Sequence, residues 1–328
     1  MKWRVPFGDL KIDDAAKLRL SSALARNWIS EGPFVEEFED KFAKKFGWKY
    51  AVATSSGTDA GTVVWSAIRE LRGLPHMAQV AEDITSNKGY VITPACAFVA
   101  TANCILAAGL EPFFKDIELE TLNLNSALVR EHIADRCGLE ELVGIQFVAT
   151  MGKPSSIVEV AQVADKRNLW LVADMCEAHG AVFMPGVYFT GDKSKQGPRF
   201  ADHYADAAIY SFYTAHLIVG GEGGLICTDD NELAAMCRSI KSHGRPVGSI
   251  YFDFQRVGYN SKWNDLCAAV ALSGLDNFEE TFRKRRLIRA ALMAGLRKFE
   301  DRLILYDDGL GEVIAPHAFP LLLRISGV

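Results

Sequence analysis

Short apolar runs and segments of helical period alternate along this chain, and that alternation restricts it to an α/β architecture with a mostly parallel sheet flanked by helices. The candidate strands are Tyr90 to Thr93, Glu111 to Asp116, Val143 to Ala149, Leu169 to Asp174, Ala207 to Phe212 and Leu225 to Thr228. Each is nearly continuous in apolar residues, as strands covered on both faces are. Between them, Phe34 to Phe46, Asp59 to Leu71, Ala97 to Ala108, Ser126 to Cys137, Ser156 to Arg167 and Glu232 to Ser242 carry apolar residues at helical spacing. Pro185 to Phe200, rich in Gly, Pro and cationic residues, reads as an exposed loop. A long helical pattern from Asn264 toward Phe299 leads out of a large sheet domain, residues 1–245, into a smaller one, residues 246–328. Little sequence follows Asp308 before the strand-like Leu321 to Ser326, so that second domain is expected to be incomplete.

A chain of 328 residues accommodates roughly two domains of about 150 residues each. With 49% apolar and 23% charged residues it is globular rather than disordered. Lys and Arg total 36 against 41 Asp and Glu, with no block of one sign, so neither nucleic acid nor a membrane surface is an expected partner. Met1 to Asp14 holds Lys2, Arg4, Asp9 and Lys11 with no apolar core, unlike a signal peptide, and no run reaches the roughly 18 apolar residues of a membrane span. The cysteines, Cys96, Cys104, Cys137, Cys176, Cys227, Cys237 and Cys267, form no C-x-x-C pair, and a reduced, cytoplasmic protein is expected. The histidines form no metal-binding spacing, so no metal site is expected.

Three motifs could carry chemistry. Ser55-Ser56-Gly57-Thr58, directly before a helical segment, offers backbone N–H groups and hydroxyls suited to a phosphate, and is equally a plain helix cap. Asp174 ends a buried strand, where ligands of open α/β sheets bind; it too has a capping alternative, and Glu177 close behind it is by itself an ordinary surface residue. Ser211-Phe212-Tyr213-Thr214-Ala215-His216, before the glycine-rich Gly220 to Gly224, places a hydroxyl and an imidazole at the sheet's edge, although a lone histidine is more often structural.

Together these motifs, with Ile29 to Pro33, Phe38-Glu39, Tyr50 to Val52, Ile92 to Pro94, Phe98 to Asn103, Ala178 to Ala181, Gly221 to Gly224 and Gly258 to Asn260, resemble the DegT/DnrJ/EryC1/StrS family of vitamin B6-dependent sugar enzymes, which have the type I aspartate aminotransferase fold. The resemblance implies that Gly57, Thr58 and Ser211 hold the phosphate of pyridoxal or pyridoxamine 5′-phosphate, that Phe98 stacks on the pyridine ring, and that Asp174 pairs with the ring nitrogen. It implies that Asn260 reaches the phosphate of the other subunit's cofactor, so that the site forms in a homodimer. A carboxylate in a dry site keeps the pyridinium protonated, which makes the ring an electron sink.

His216 stands where the family's aminotransferases carry the lysine that bonds the cofactor. An imidazole cannot form that bond; it can act as a general base near neutral pH. Lys193, Lys195, Lys241 and Lys262 do not match the motif. The same exchange is similar to that of the pyridoxamine-phosphate-dependent 3-dehydratases of nucleotide-activated 4-keto-6-deoxyhexoses. In them the cofactor amine condenses with the C4 ketone, a histidine takes a proton from the cofactor's C4′ carbon, the C3 hydroxyl departs, and L-glutamate restores the amine. The CDP-sugar members carry an iron–sulfur cluster on an insertion for which Gly244 to Gly258 has neither cysteines nor room, so no cluster is expected. Asp174-Met175-Cys176-Glu177 is nearer to the GDP-4-keto-6-deoxymannose 3-dehydratases, where a Glu likewise stands near the ring hydroxyl. Thr58 in place of Ser, Ala173 in place of Glu, and the missing G-D-E within Arg72 to Gly89 depart from the subgroup. An aminotransferase that has lost its lysine, or a non-catalytic paralogue that binds the cofactor or a sugar nucleotide, are the alternatives.

Overall fold

The computed structural model describes residue 8 and residues 10–74, 89–135, 142–183, 199–249 and 252–324. Two helices come first, α1 (Asp14–Ala25) and α2 (Pro33–Phe46). Asp13 starts α1 by accepting the Ala16 N–H at 2.8 Å; α2 opens on a proline and stops at Gly47 with φ +81°. The N-cap of α2 is Gly32, which has no side chain to cap with, so the acceptor arrives from elsewhere in the chain: Asp265, fully buried, takes the N–H groups of Phe34 and Val35 at 2.8 and 3.0 Å.

The sheet then assembles from β1 (Tyr50–Thr54), β2 (Tyr90–Pro94), β3 (Glu111–Lys115), β4 (Leu142–Val148), β5 (Trp170–Asp174), β8 (Ala207–Ser211) and β9 (Gly224–Thr228), in the order β1-β9-β8-β5-β4-β2-β3. The pairs β2/β3, β2/β4, β4/β5 and β5/β8 are parallel; β9 runs antiparallel to both β8 and β1. The mostly parallel sheet read from the sequence is therefore present. Its expected strands all appear, shifted by a residue or two at their ends. Besides short two-residue strands, α1 and β1 had not been expected. Helix α1 buries only Ala16 and Ala23, too little for an apolar stripe, and β1 is a short run of mostly small residues that, among the described residues, pairs only with β9.

Helices α3 (Gly57–Leu71), α4 (Ala100–Ala107) and α7 (Asn231–Lys241) cover one face, where Val52, Val91, Val172 and Ile226 meet Val64, Ile105 and Leu233. On the other face α2, α5 (Ser126–Asp135), α6 (Ile157–Arg167) and α8 (Asp265–Asp276) pack over Ala53, Ile92, Ile145 and Leu171. The helical pattern from Asn264 is not one helix. Asn277 ends α8, its Nδ2 donating to Asp13 Oδ2 and the Ser273 carbonyl, and α9 (Phe278–Leu296) starts immediately after it. Helix α8 packs on α1 and α2 and its apolar side belongs to the sheet's core.

Short strands complete the described chain: β6 (Val182–Phe183) pairs with β7 (Arg199–Phe200) and β11 (Glu312–Val313), and β10 (Leu303–Ile304) with β12 (Leu322–Leu323). The expected loop thus ends in a strand at Arg199–Phe200, while its residues 185–198 lie outside the described residues, as do residues 75–88 of the Arg72 to Gly89 region, Lys193, Lys195, Cys137, most of Met1 to Asp9 and the last residues of the strand at 321–326. Among the described residues no helix is long and apolar enough to cross a membrane.

Gly152 docks the C-terminal segment on the sheet. Its φ is +86°, its carbonyl accepts the Ala315 N–H at 3.0 Å, and a Cβ there would sit 1.6 Å from the Ala315 oxygen. Gly152→Ala is therefore expected to cost about 3 kcal/mol or more, lowering the midpoint of thermal unfolding by about 6 °C or more. A midpoint unchanged in a melting curve would contradict this packing.

Candidate active site

Parallel strands bring the ends of distant segments to one edge. At the C-terminal edge of this sheet stand Thr54 of β1, Asp174 of β5 and Ser211 of β8, with the loops that follow them.

Helix α3 begins at that edge. Ser56 caps it, its Oγ accepting the Asp59 N–H at 3.0 Å, while the Ser55 hydroxyl donates to the Asp59 carboxylate. The amides of Gly57 and Thr58 occupy the first helical positions, which have no acceptor within a helix. The capping reading of Ser55 to Thr58 holds, and the end it caps presents N–H groups with no intrahelical acceptor. The glycine is needed for contact, since a Cβ on Gly57 would lie 2.8 Å from Ser211 Cβ and 3.1 Å from Cys176 Sγ. Gly57, Cys176 and Ser211 are thereby drawn together from three segments. Thr58 is exposed, and Ser211 Oγ accepts the Tyr213 N–H at 3.4 Å.

Asp174 caps no helix, because a turn follows β5. Its Oδ1 accepts the Cys176 N–H at 3.1 Å and its Oδ2 the Thr101 hydroxyl of α4 at 3.3 Å. Burial pushes its carboxyl up, and these hydrogen bonds pull the other way. No cation pairs with it among the described residues. A buried carboxylate held by neutral donors is one that a cationic ring N–H can complete, and a helix end with free amides next to it suits a phosphate. The donor set fits the cofactor that the sequence implied.

Glu177 is fixed by the Met151 N–H, which meets Oε2 at 2.6 Å; Met151 takes the left-handed conformation, φ +55°, in the turn before Gly152. His216 lies half-buried in the turn after β8, its Nδ1 buried without a hydrogen-bond partner. Burial above all, then His317 and Arg285, push its imidazole down to about 3. It is neutral at physiological pH and holds a free lone pair. Phe98, 74% exposed, begins the turn into α4, and its carbonyl accepts the Thr101 N–H at 3.0 Å. Asn260 is exposed too; its side chain accepts from Lys262 Nζ, and the carbonyl of its neighbour Ser261 takes the Ser55 N–H at 2.9 Å, bringing that segment against the start of α3.

Several described lysines are already paired. Lys153 pairs with Glu312 at 2.6 Å, Lys241 with Glu31, and Lys262 lies 3.4 Å from His243 Nε2.

Sequence reasoning missed His317 and Arg285. His317 comes from the C-terminal segment and sets its ring 5.1 Å from that of His216, with Nε2 3.9 Å from Glu177 Oε1. Arg285 of α9 reaches the same corner. An arginine-rich helix was legible; which arginine turned inward was not.

The buried histidines predict a pH dependence. Burial lowers His179, His216 and His317 below the ordinary histidine value of 6.5. Below about pH 6.5 the unfolded chain binds protons that the folded chain refuses, so stability falls as pH falls. Thermal unfolding of the cofactor-free protein is expected to shift to lower temperature between pH 7 and pH 5, and less so in His216→Asn. Equal midpoints at both pH values would contradict it.

A helix end with free amides beside a carboxylate that pairs with no cation among the described residues, on the edge of an aminotransferase-type sheet, is an arrangement suited to a vitamin B6 cofactor in an α/β fold. The chain belongs to the DegT/DnrJ/EryC1/StrS aminotransferase family, whose profile matches residues 11–326. The family depends on pyridoxal or pyridoxamine phosphate. The chain is 27% identical to the GDP-perosamine synthase of Escherichia coli O157:H7, over 87% of this chain and 69% of that one. It is 28% identical to the dTDP-4-dehydro-2,6-dideoxy-D-glucose 3-dehydratase of Saccharopolyspora spinosa, over 94% of this chain and 65% of that one. A solved GDP-4-keto-6-deoxymannose-3-dehydratase mutant with bound GDP-perosamine superposes with a TM-score of 0.78 at 25% identity, covering 98% of this chain and 80% of that one.

Proposed function

We propose that the protein is a pyridoxamine-phosphate-dependent 3-dehydratase of a nucleotide-activated 4-keto-6-deoxyhexose, with L-glutamate as amine donor. The observation that carries the reading is His216, a neutral imidazole with an unpartnered Nδ1, at the position of the family's cofactor-bonding lysine. Similarity to a 3-dehydratase and to the structure of another supports it.

When bound, the cofactor supplies an amine that condenses with a ketone and a ring that accepts the electrons released. Everything else falls to the chain. The α3 amides of Gly57 and Thr58 and the Ser211 hydroxyl would hold the phosphate, Phe98 and Glu177 would serve the ring, and Asp174 would keep the ring nitrogen protonated. Asn260 serves the phosphate of the partner subunit's site in a homodimer. His216 would act as the base that accepts the proton from the cofactor's C4′ carbon, and it lacks the amine that would capture the cofactor covalently.

The test is mass spectrometry of the purified protein with pyridoxamine phosphate, L-glutamate and a panel of GDP-, CDP- and dTDP-4-keto-6-deoxyhexoses. The expected product has lost the C3 hydroxyl and kept its ketone. A 4-amino product overturns the reading in favour of an aminotransferase, which similarity to GDP-perosamine synthase favours. No product with cofactor bound overturns it in favour of a binding protein.

A further inference from the structure

One guanidinium fastens two distant segments of the site. Arg285 Nη2 donates to the carbonyls of Ala215 and His216 at 3.2 and 2.9 Å, while Nη1 donates to those of Pro316 and His317 at 3.2 and 3.4 Å. The turn that carries His216 and the C-terminal segment that carries His317 are thus held at a fixed separation. Their rings lie 5.1 Å apart at 36°. On its far side His317 faces Glu177, whose other oxygen is occupied by the Met151 N–H. The Nδ1 atoms of both histidines are buried and have no hydrogen-bond partner. The mechanism above assigns His317 nothing.

We propose that His317 is a positioning residue for His216: held by Arg285 through its backbone and packed ring against ring on His216, it fixes the plane of the His216 imidazole and keeps water from one of its faces. The proposal rests on the reading of His216 as the base. The groups described around His216 are charged or aromatic. His179 lies 5.8 Å away, from the turn after β5, Tyr213 6.4 Å away in its own turn, Arg285 reaches in from α9, and Glu177 stands behind His317. An imidazole shielded in this way stays an unprotonated acceptor through the neutral range, and loss of the shield lets water in to stabilise the imidazolium.

The test is a titration of imidazole resonances by NMR in the cofactor-free, histidine-labelled protein, with the His216 signal identified by its absence in His216→Asn. In the unmodified protein His216 is expected not to titrate between pH 8 and pH 5. In His317→Ala its midpoint is expected to rise by a pH unit or more, and kcat to fall tenfold or more with KM for the sugar nucleotide within threefold. His317→Phe keeps a ring against His216 and is expected to keep its silence between pH 8 and pH 5 and most of kcat. An unchanged His216 titration in a folded His317→Ala, or a titration in His317→Phe that matches the alanine variant, overturns the proposal; should alanine prevent folding, His317→Asn takes its place. Because the titration needs neither cofactor nor substrate, it decides the matter even if the mass-spectrometric panel yields no deoxygenated sugar.

Discussion

His216→Asn is expected to abolish turnover, by about 10²–10⁴-fold for loss of a general base, while the affinity for pyridoxamine phosphate changes little. The two effects separate because the residue touches none of the groups assigned to the cofactor's phosphate and ring nitrogen. The α3 amides and Ser211 form one cluster around Gly57, and Asp174 is held by Thr101 and Cys176. Asparagine occupies similar space and cannot take up a proton. Binding is read from the cofactor's absorbance during titration and turnover from product mass. Turnover within a few-fold of the unmodified enzyme would remove His216 from the mechanism. Loss of binding together with turnover would mean that the imidazole holds the cofactor instead of acting beside it.

Asp174→Asn is expected to move stability and binding in opposite directions. The folded protein carries a carboxylate that burial pushes toward its neutral form and that no cation offsets among the described residues. Its folded pKa is raised, so the ionised group costs stability at neutral pH, and the cost is relieved as pH falls through the raised value. The amide removes that cost: its oxygen still accepts the Cys176 N–H, and its NH2 can donate to the Thr101 hydroxyl oxygen, which donates to the carboxylate in the unmodified protein. The cofactor-free variant should therefore melt at or above the temperature of the unmodified protein. Cofactor affinity should fall by about 100-fold or more, because breaking a buried charged pair strands the remaining charge. Thermal melts with and without pyridoxamine phosphate read both effects; a less stable cofactor-free variant with undiminished affinity would show that the carboxylate serves the fold. The variant also isolates the histidines. Without the opposing carboxylate, the acid-side loss of stability should steepen.

Most of the strands were legible because each is a short apolar run covered on both faces, and their ends carried Asp174 and Ser211 to the expected edge. The start of α3 was legible too, since Ser56 and Gly57 are the residues a helix entry requires. What escaped was what depends on tertiary contact. The pattern from Asn264 continues in period across Asn277, and only the side-chain bonds of Asn277 to Asp13 and Ser273 mark the break. Glu177 reads by itself as an ordinary surface residue, and only the turn after β5 brings its carboxylate to the Met151 amide. His317 lies in a stretch around Pro316 and Pro320 with no periodicity, and its place against His216 is fixed by Arg285 and by Gly152, residues whose roles appear only once the chain has closed.

That closure has a temporal side. Asp265 supplies the acceptor for the first amides of α2 across a separation of 231 residues, and among the described residues β1 has no neighbour except β9. A ribosome therefore releases α2 with an open N-terminus and β1 with an unsatisfied ladder, and neither is completed until most of the polypeptide has emerged. Assembly must follow synthesis instead of accompanying it, and the nascent N-terminal half meets the cell as an incomplete sheet edge open to non-native pairing.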